Sequence, residues 1–294
     1  MNLLNSYQRA RLLLLTGSIL CFVAFWYSGR VFHIPPYAGY QPALFLSSPY
    51  ILPILIITIV LAISVAIGTA IAGMVRFNAG LLTALFGLAA LSFRGGEPRH
   101  TMLWALSRIG PDSIFLRFFL ELLLLSVLVG IAWYILRMLY TAGKLRDRET
   151  PIMAEGDAPH VSAEASSLGV QFILTALLIM LIAQSEAKQQ VMAAIFIGSW
   201  GASAFAHTFF PTGPRSWYWL PPLLVGLFGF LLAWLFSPTG LFTADFRGSF
   251  AGLYRPMPLD YASMGPAGAI IGHWMSRRWQ RDRAVSQTAP ASNV

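Results

Sequence analysis

The sequence predicts an all-α fold: a polytopic transmembrane helix bundle of about eight spans, with one or two further helices lying in the membrane interface. Three observations predict it. Hydrophobic residues make up 56% of the 294 positions and charged residues only 11%, and the mean hydropathy is +0.65. A soluble domain carries about 25% charge and could not hide so much apolar surface in one core. The apolar residues also fall into eight runs, most of them long enough to cross a bilayer. Finally, the basic residues gather at the ends of those runs, as membrane topology requires.

A helix needs about 20 apolar residues to cross the hydrocarbon. Leu12 to Phe32 is the first such run, with Trp26 and Tyr27 near its far interface. Arg9 and Arg11 precede it as in a signal peptide, but no small-residue cleavage pattern follows, so it reads as an uncleaved first span. Val31 to Pro49, rich in proline and tyrosine, reads as an ordered interfacial connection. Tyr50 to Val75 has no charge and is the strongest span. Arg76-Phe77-Asn78 then turns the chain into Ala79 to Phe93, a short run rich in small residues. After Pro98, Met102, Leu103, Leu106 and Ile109 share one helical face, which predicts an interfacial amphipathic helix. Ser113 to Tyr140 is the fourth span, closed by Trp133, Tyr134 and Arg137.

The stretch 141–165 inverts this composition. It holds Lys144, Arg146, Asp147, Arg148, Glu149, Glu155, Asp157 and Glu164 together with two prolines and two glycines, and it reads as a solvated tether. Leu168 to Gln184 is the fifth span, Gln190 to Phe210 the sixth, and Trp217 to Phe236 the seventh, opening on a Trp217-Tyr218-Trp219 anchor. Phe242, Phe246, Phe250 and Tyr254 recur every four residues and predict a second interfacial helix. Leu259 to Ser276 is the eighth run, short and rich in small residues, and it ends in Arg277, Arg278, Arg281 and Arg283. The expected organisation is therefore a four-span half over 1–140, a polar cytoplasmic linker over 141–165, a second four-span half over 166–279 and a disordered tail over 280–294. The two halves share no visible repeat.

Charge counting orients the chain. With eight crossings and a cytoplasmic N-terminus, twelve of the 20 basic residues fall inside and eight outside, and the clusters at 144–148 and 277–283 fall inside together. Dropping the third run as a span would put the early and late clusters on opposite sides. The expected location is the cell (cytoplasmic or inner) membrane, with both termini cytoplasmic. The expected partners are the lipid bilayer and a membrane protein or a second copy of the chain. The net charge of +8 is topological, so nucleic acid is not expected. Cys21 is the single cysteine, the histidines have no metal-ligand spacing, and no phosphate or dinucleotide fingerprint occurs, so no cofactor or metal is expected.

Polar groups at membrane depth are functional candidates by default. Arg117 and Glu121 are spaced i, i+4 in the fourth run; they read either as a self-neutralising pair with Arg117 snorkelling or as a gating carboxylate. His207 follows Ser203 by four residues on one helical face, which allows a serine–base pair or plain helix packing. His273 follows Gly268 and Gly272, a Gly-x-x-x-Gly packing face. Gly265 to Gly272, reading Gly-Pro-Ala-Gly then Ala-Ile-Ile-Gly, resembles the serine-bearing helix of rhomboid intramembrane proteases, which reads Gly-x-Ser-Gly then Ala-Ile-x-Gly. Ala267 stands where the nucleophile would be, as in inactive rhomboid-like pseudoproteases, and the histidine-bearing span that follows in that family is not expected here. No family role is carried over.

No motif carries a specific chemistry, and an enzyme is not favoured. Three functions stay open: a transport-related, permease-like protein; a non-catalytic structural or assembly subunit of a membrane complex; and an intramembrane hydrolase using Ser203 and His207. The topology makes a direct prediction. Reporter fusions at Glu155 and at the C-terminus should signal from the same side, and signals from opposite sides would sink the eight-span reading.

Overall fold

In a computed structural model, the described residues are 6–31, 43–46, 50–73, 75–76, 78–96, 100–101, 104–105, 111–142, 161–185, 187–213, 216–236 and 251–288. Among them all regular structure is helical. The long helices are α1 (Ser6–Ser28), α2 (Ile51–Ala72), α3 (Ala79–Phe93), α4 (Pro111–Thr141), α5 (Val161–Ile182), α6 (Lys188–Phe209), α7 (Pro221–Phe236) and α8 (Pro258–Thr288). Each coincides with one of the eight apolar runs. Two boundaries differ from expectation: α5 begins at Val161, inside the stretch read as linker, and α8 continues to Thr288, well into the stretch read as tail.

Five helices are long and apolar enough to cross a membrane: α1, α2, α4, α5 and α6. Their outward faces carry large apolar side chains such as Leu15 on α1, Ile51 on α2, Ile131 on α4 and Leu181 on α5. The other three fall short for identifiable reasons. With 15 and 16 residues, α3 and α7 extend about 23–24 Å, less than the roughly 30 Å hydrocarbon thickness. Helix α8 is long but not apolar enough: its first part is rich in small residues and buried among its neighbours, and its last turns carry Arg277, Arg278, Gln280, Arg281, Asp282 and Arg283, which are half-buried or exposed.

The core is built around α3 and α8. Thirteen of the fifteen residues of α3 are buried, where it packs against α1, α2 and α8. Helix α8 packs against α3, α4, α6 and α7, so it joins the segments on either side of the linker. Cross-contacts fix the directions. Ser92 at the end of α3 meets Asp260 at the start of α8, while Arg76, just before α3, lies over Trp274, 4.8 Å from the ring centroid. Lys188 meets Asp260 and Thr208 meets Ser276, so α6 and α8 run parallel. Phe118 faces Phe230 and Trp133 faces Trp219, so α4 and α7 run antiparallel. Successive long helices alternate in direction, and the bundle has an Asp260 end and a His273 end.

The α6–α8 contact is unusually close. A Cβ on Gly268 would collide with the carbonyl oxygen of Phe196, and one on Gly272 with that of Trp200. Only glycine allows this approach. It brings Ser203 Oγ within 2.8 Å of the Ala269 carbonyl and Gln280 Nε2 within 2.6 Å of the His207 carbonyl, both as donors. Between helices in lipid the hydrophobic effect offers little attraction, so van der Waals contact and hydrogen bonds of this kind must hold the pair.

The interfacial-helix expectations fall largely outside the described residues. His100, Thr101, Trp104 and Ala105 are helical, with Thr101 and Ala105 buried and Trp104 packed on the core. Of the Phe242–Tyr254 stripe, a single turn, Ala251–Tyr254, is described. Tyr254 is fully buried there, edge-on to Phe115, so it faces protein and not the membrane interface. The linker from 143 to 160 and the tail from 289 lie outside the described residues.

The glycine seam predicts a graded response. Gly268→Val and Gly272→Val should each destabilise the bundle by at least about 1–3 kcal/mol, the range for overpacking a filled core. Gly169→Ala, in α5 where an added Cβ meets nothing within 4 Å, should instead stabilise by up to about 1 kcal/mol. Thermal or denaturant unfolding in mild detergent separates the two outcomes.

Candidate functional site

Three buried polar constellations occupy the interior. The first lies at the Asp260 end, where α3 finishes and α6 and α8 begin. Lys188 Nζ donates to Ser92 Oγ at 2.8 Å and pairs with Asp260 Oδ1, to which the Ser92 hydroxyl also donates. The second oxygen, Oδ2, accepts the Met257 N–H at 2.9 Å. Met257 directly precedes α8 and Asp260 is its third residue, so this bond is half of a capping box. The carboxylate therefore sits where the α8 dipole favours an anion. Lys188, the first residue of α6, is in the opposite situation, a cation at a positive helix end, and Asp260 offsets it. Both side chains are buried.

The second constellation holds Arg117 and Glu121. Both address the backbone of the same residue: Glu121 Oε2 accepts the Phe45 N–H and Arg117 Nη1 donates to the Phe45 carbonyl, each at 3.2 Å. Glu121 is completely buried and its Oε1 has no partner. The pair thus fastens a non-helical turn, whose Ala43 and Leu44 are also buried, against α4. Irregular backbone deep in such a bundle needs polar side chains to satisfy its N–H and C=O groups, and Arg117 and Glu121 supply them.

The third constellation lies at the His273 end. It unites His207 of α6 and His273 of α8, whose rings meet edge to face with centroids 4.8 Å apart. Tyr218 stacks on His273 at 3.9 Å and 10°. Ser167 Oγ and Thr212 Oγ1 lie 3.0 and 2.8 Å from His207 Nδ1, and Ser216 Oγ lies 3.0 Å from Thr212 Oγ1. Gln171 Nε2 donates to the Tyr218 carbonyl at 2.8 Å, and Asn78 Nδ2 donates to the Tyr218 hydroxyl. His207 Nε2 and both nitrogens of His273 have no hydrogen-bond partner.

Two of the four candidate side chains, Arg117 and Glu121, thus meet at the Asp260 end, and the other two, His207 and His273, meet at the opposite end. Gly268 and Gly272 lie between Asp260 and His273 along α8, against α6. Ser203 donates to Ala269 across this seam, and His207 takes Ser167 and Thr212 as its partners. Among the described residues, no three His, Cys, Asp or Glu side chains are grouped to hold a metal. The chain matches no family model, no curated protein and no solved structure.

Sequence reasoning missed Lys188 and Asp260. Lys188 reads as a turn residue and a topological charge because it flanks an apolar run. Asp260 lies at the edge of another run. A legible signal existed in Pro258 at the first helical position and Asp260 at the third, which together mark a helix start. Nothing in the local sequence pairs them across 72 positions.

A buried ion pair responds asymmetrically to mutation. Asp260→Leu or Lys188→Met alone should cost about 3–5 kcal/mol by stranding the partner charge. Combining Lys188→Met with Asp260→Leu should recover a large part of that loss, because no unpaired charge remains. Unfolding midpoints of the two single variants and the double variant test this, and strictly additive losses would refute the coupling.

Proposed function

We propose that this chain is a permease-like membrane protein whose eight long helices all cross the bilayer. In this reading both termini and the 141–165 linker face the cytoplasm, from a cell or inner membrane. The alternating helix directions support eight crossings, since α3 and α7 can be short where neighbouring helices shield them. The basic residues agree: Arg9, Arg11, Arg137, Arg278, Arg281 and Arg283 all lie toward the His273 end. One observation carries the transport reading. An apolar outer surface encloses a polar seam along α6 and α8, from the Lys188–Asp260 pair at one end to the His207–His273 pair at the other. Ionisable groups at such depth mark solute or proton paths in membrane proteins.

A second reading, a non-catalytic subunit or assembly factor, is favoured by the closure of both clusters. Asp260 is 0% exposed, Lys188 5%, and His207 and His273 1% each. Groups so sealed can act as struts. A stoichiometric membrane partner or a second copy of the chain that co-purifies would support this reading. The hydrolase reading has the least support, because the Ser203 hydroxyl is committed to the Ala269 carbonyl.

Reconstitution tests the first reading. Proteoliposomes with a trapped pH dye, given an imposed membrane potential and a panel of external solutes, should show flux above protein-free vesicles. Flux should fall at least about tenfold in Asp260→Asn protein that still elutes as a folded species. Glu121→Gln, which keeps an oxygen for the Phe45 N–H, should retain most of it. A wild type that moves neither protons nor any tested solute would leave the subunit reading standing.

A further inference from the structure

The clasp on the 43–46 turn leaves one buried oxygen unused. Glu121 is 0% exposed, and its Oε1 has no hydrogen-bond partner. Its Oε2 accepts the Phe45 N–H, and the Leu44 N–H bears on the same carboxyl. Two backbone donors are few for a buried carboxylate, which offers about four acceptor sites and also needs a counter-charge. Arg117 stands one turn earlier on α4 and is the cation placed to supply it. Its Nη1 is committed to the Phe45 carbonyl instead.

No other charge takes that place among the described residues. The 43–46 turn and helices α2 and α7 carry no charged residue. Tyr50, just before α2, brings its ring to that of Phe45. Helix α8 brings Asp260, which is held by Lys188 and Ser92, and Tyr261, whose hydroxyl donates to the Leu253 carbonyl. Arg94 and Arg255, also at this end, donate to the Trp26 and Ala183 carbonyls, and His100 is exposed. The bonding around Glu121 is therefore that of a carboxylic acid. One oxygen accepts from the turn, and the other is left to carry a proton. A proton needs no cavity, which suits a bundle packed this closely.

We propose that Glu121 is a proton-binding site and that its proton works the clasp on the 43–46 turn. With the proton on, Glu121 is neutral, and Arg117 is left to hold the Phe45 carbonyl, as in the structure. With the proton released to water, a bare buried anion stands one turn from a guanidinium. Arg117 then leaves the Phe45 carbonyl for Glu121, and the i, i+4 ion pair legible in the sequence forms. The Phe45 backbone loses one of its two ties to α4, and the connection between α1 and α2 loosens. The device is the same in a carrier and in a non-catalytic subunit, so it does not rest on the transport reading.

Infrared difference spectroscopy of the full chain in detergent, wild type minus Glu121→Gln, reads the proton directly. At about pH 6 an exposed glutamate is almost wholly ionised. The wild type should nevertheless show there the C=O stretch of a protonated carboxyl that the variant lacks. The band should fade by about pH 9, the upper range for buried glutamates. Over the same interval the amides of residues 43–46 should come to exchange with deuterium about threefold or more faster than in Glu121→Gln at equal pH, having matched it at about pH 6. Arg117→Met removes the cation, so Glu121 should keep its proton to a pH higher by about one unit or more. If Glu121→Gln fails to fold, Arg117→Met carries the test, because a band whose titration moves with Arg117 belongs to its neighbour. Absence of the band at about pH 6 overturns the proposal. So does a band still present at about pH 10, one that fades with no change in exchange at 43–46, or one whose titration Arg117→Met leaves unmoved.

Discussion

Lys188 and Asp260 can be buried only together. Each alone would be an unpaired charge sealed inside protein, at a cost of about 3–5 kcal/mol, a large share of a single domain's stability. Together, and with the Ser92 hydroxyl between them, they tie the last turn of α3 to the first turns of α6 and α8. That tie sets the register of the most intimate contact in the molecule. Once Asp260 is level with Lys188, Gly268 falls opposite Phe196 and Gly272 opposite Trp200. A shift of one residue in either helix would put side chains where the backbones now touch.

The same register carries the polar seam to its far end. Two turns beyond the glycines' contact, α8 brings Gln280 to the His207 carbonyl, and His273 lies beside His207. Thr212, Ser216 and Tyr218, from the stretch between α6 and α7, then pack against the two rings and each other. Three indoles, Trp133, Trp217 and Trp219, pack together next to it. The Trp217-Tyr218-Trp219 anchor is thus only partly an interfacial one. Trp217 is exposed, while Tyr218 and Trp219 are inside.

Much of the architecture was legible from composition and run length, because a bilayer imposes long apolar helices on any chain that crosses it. Ala79–Phe93 was recoverable to the residue. The polar sites were harder to read, and the reason is physical. Arg117 and Glu121 suggested a pair that neutralises itself, since i, i+4 spacing is local information. Their shared target, the backbone of Phe45, is 72 and 76 positions away and leaves no trace in the pattern. Hydropathy also undervalues the first part of α8, because it measures suitability for lipid, and the residues from Pro258 to His273 are almost all buried in protein.

The sequence by itself determined that this is a helical membrane protein, where each long helix lies, and where charge accumulates along the chain. These follow from the solvent, which acts on every residue separately and so can be read one run at a time. Only the tertiary structure decided which charges pair, which histidines meet, and which helix stands at the centre. Those outcomes depend on contacts between residues tens to more than a hundred positions apart, and no local property of either partner encodes them.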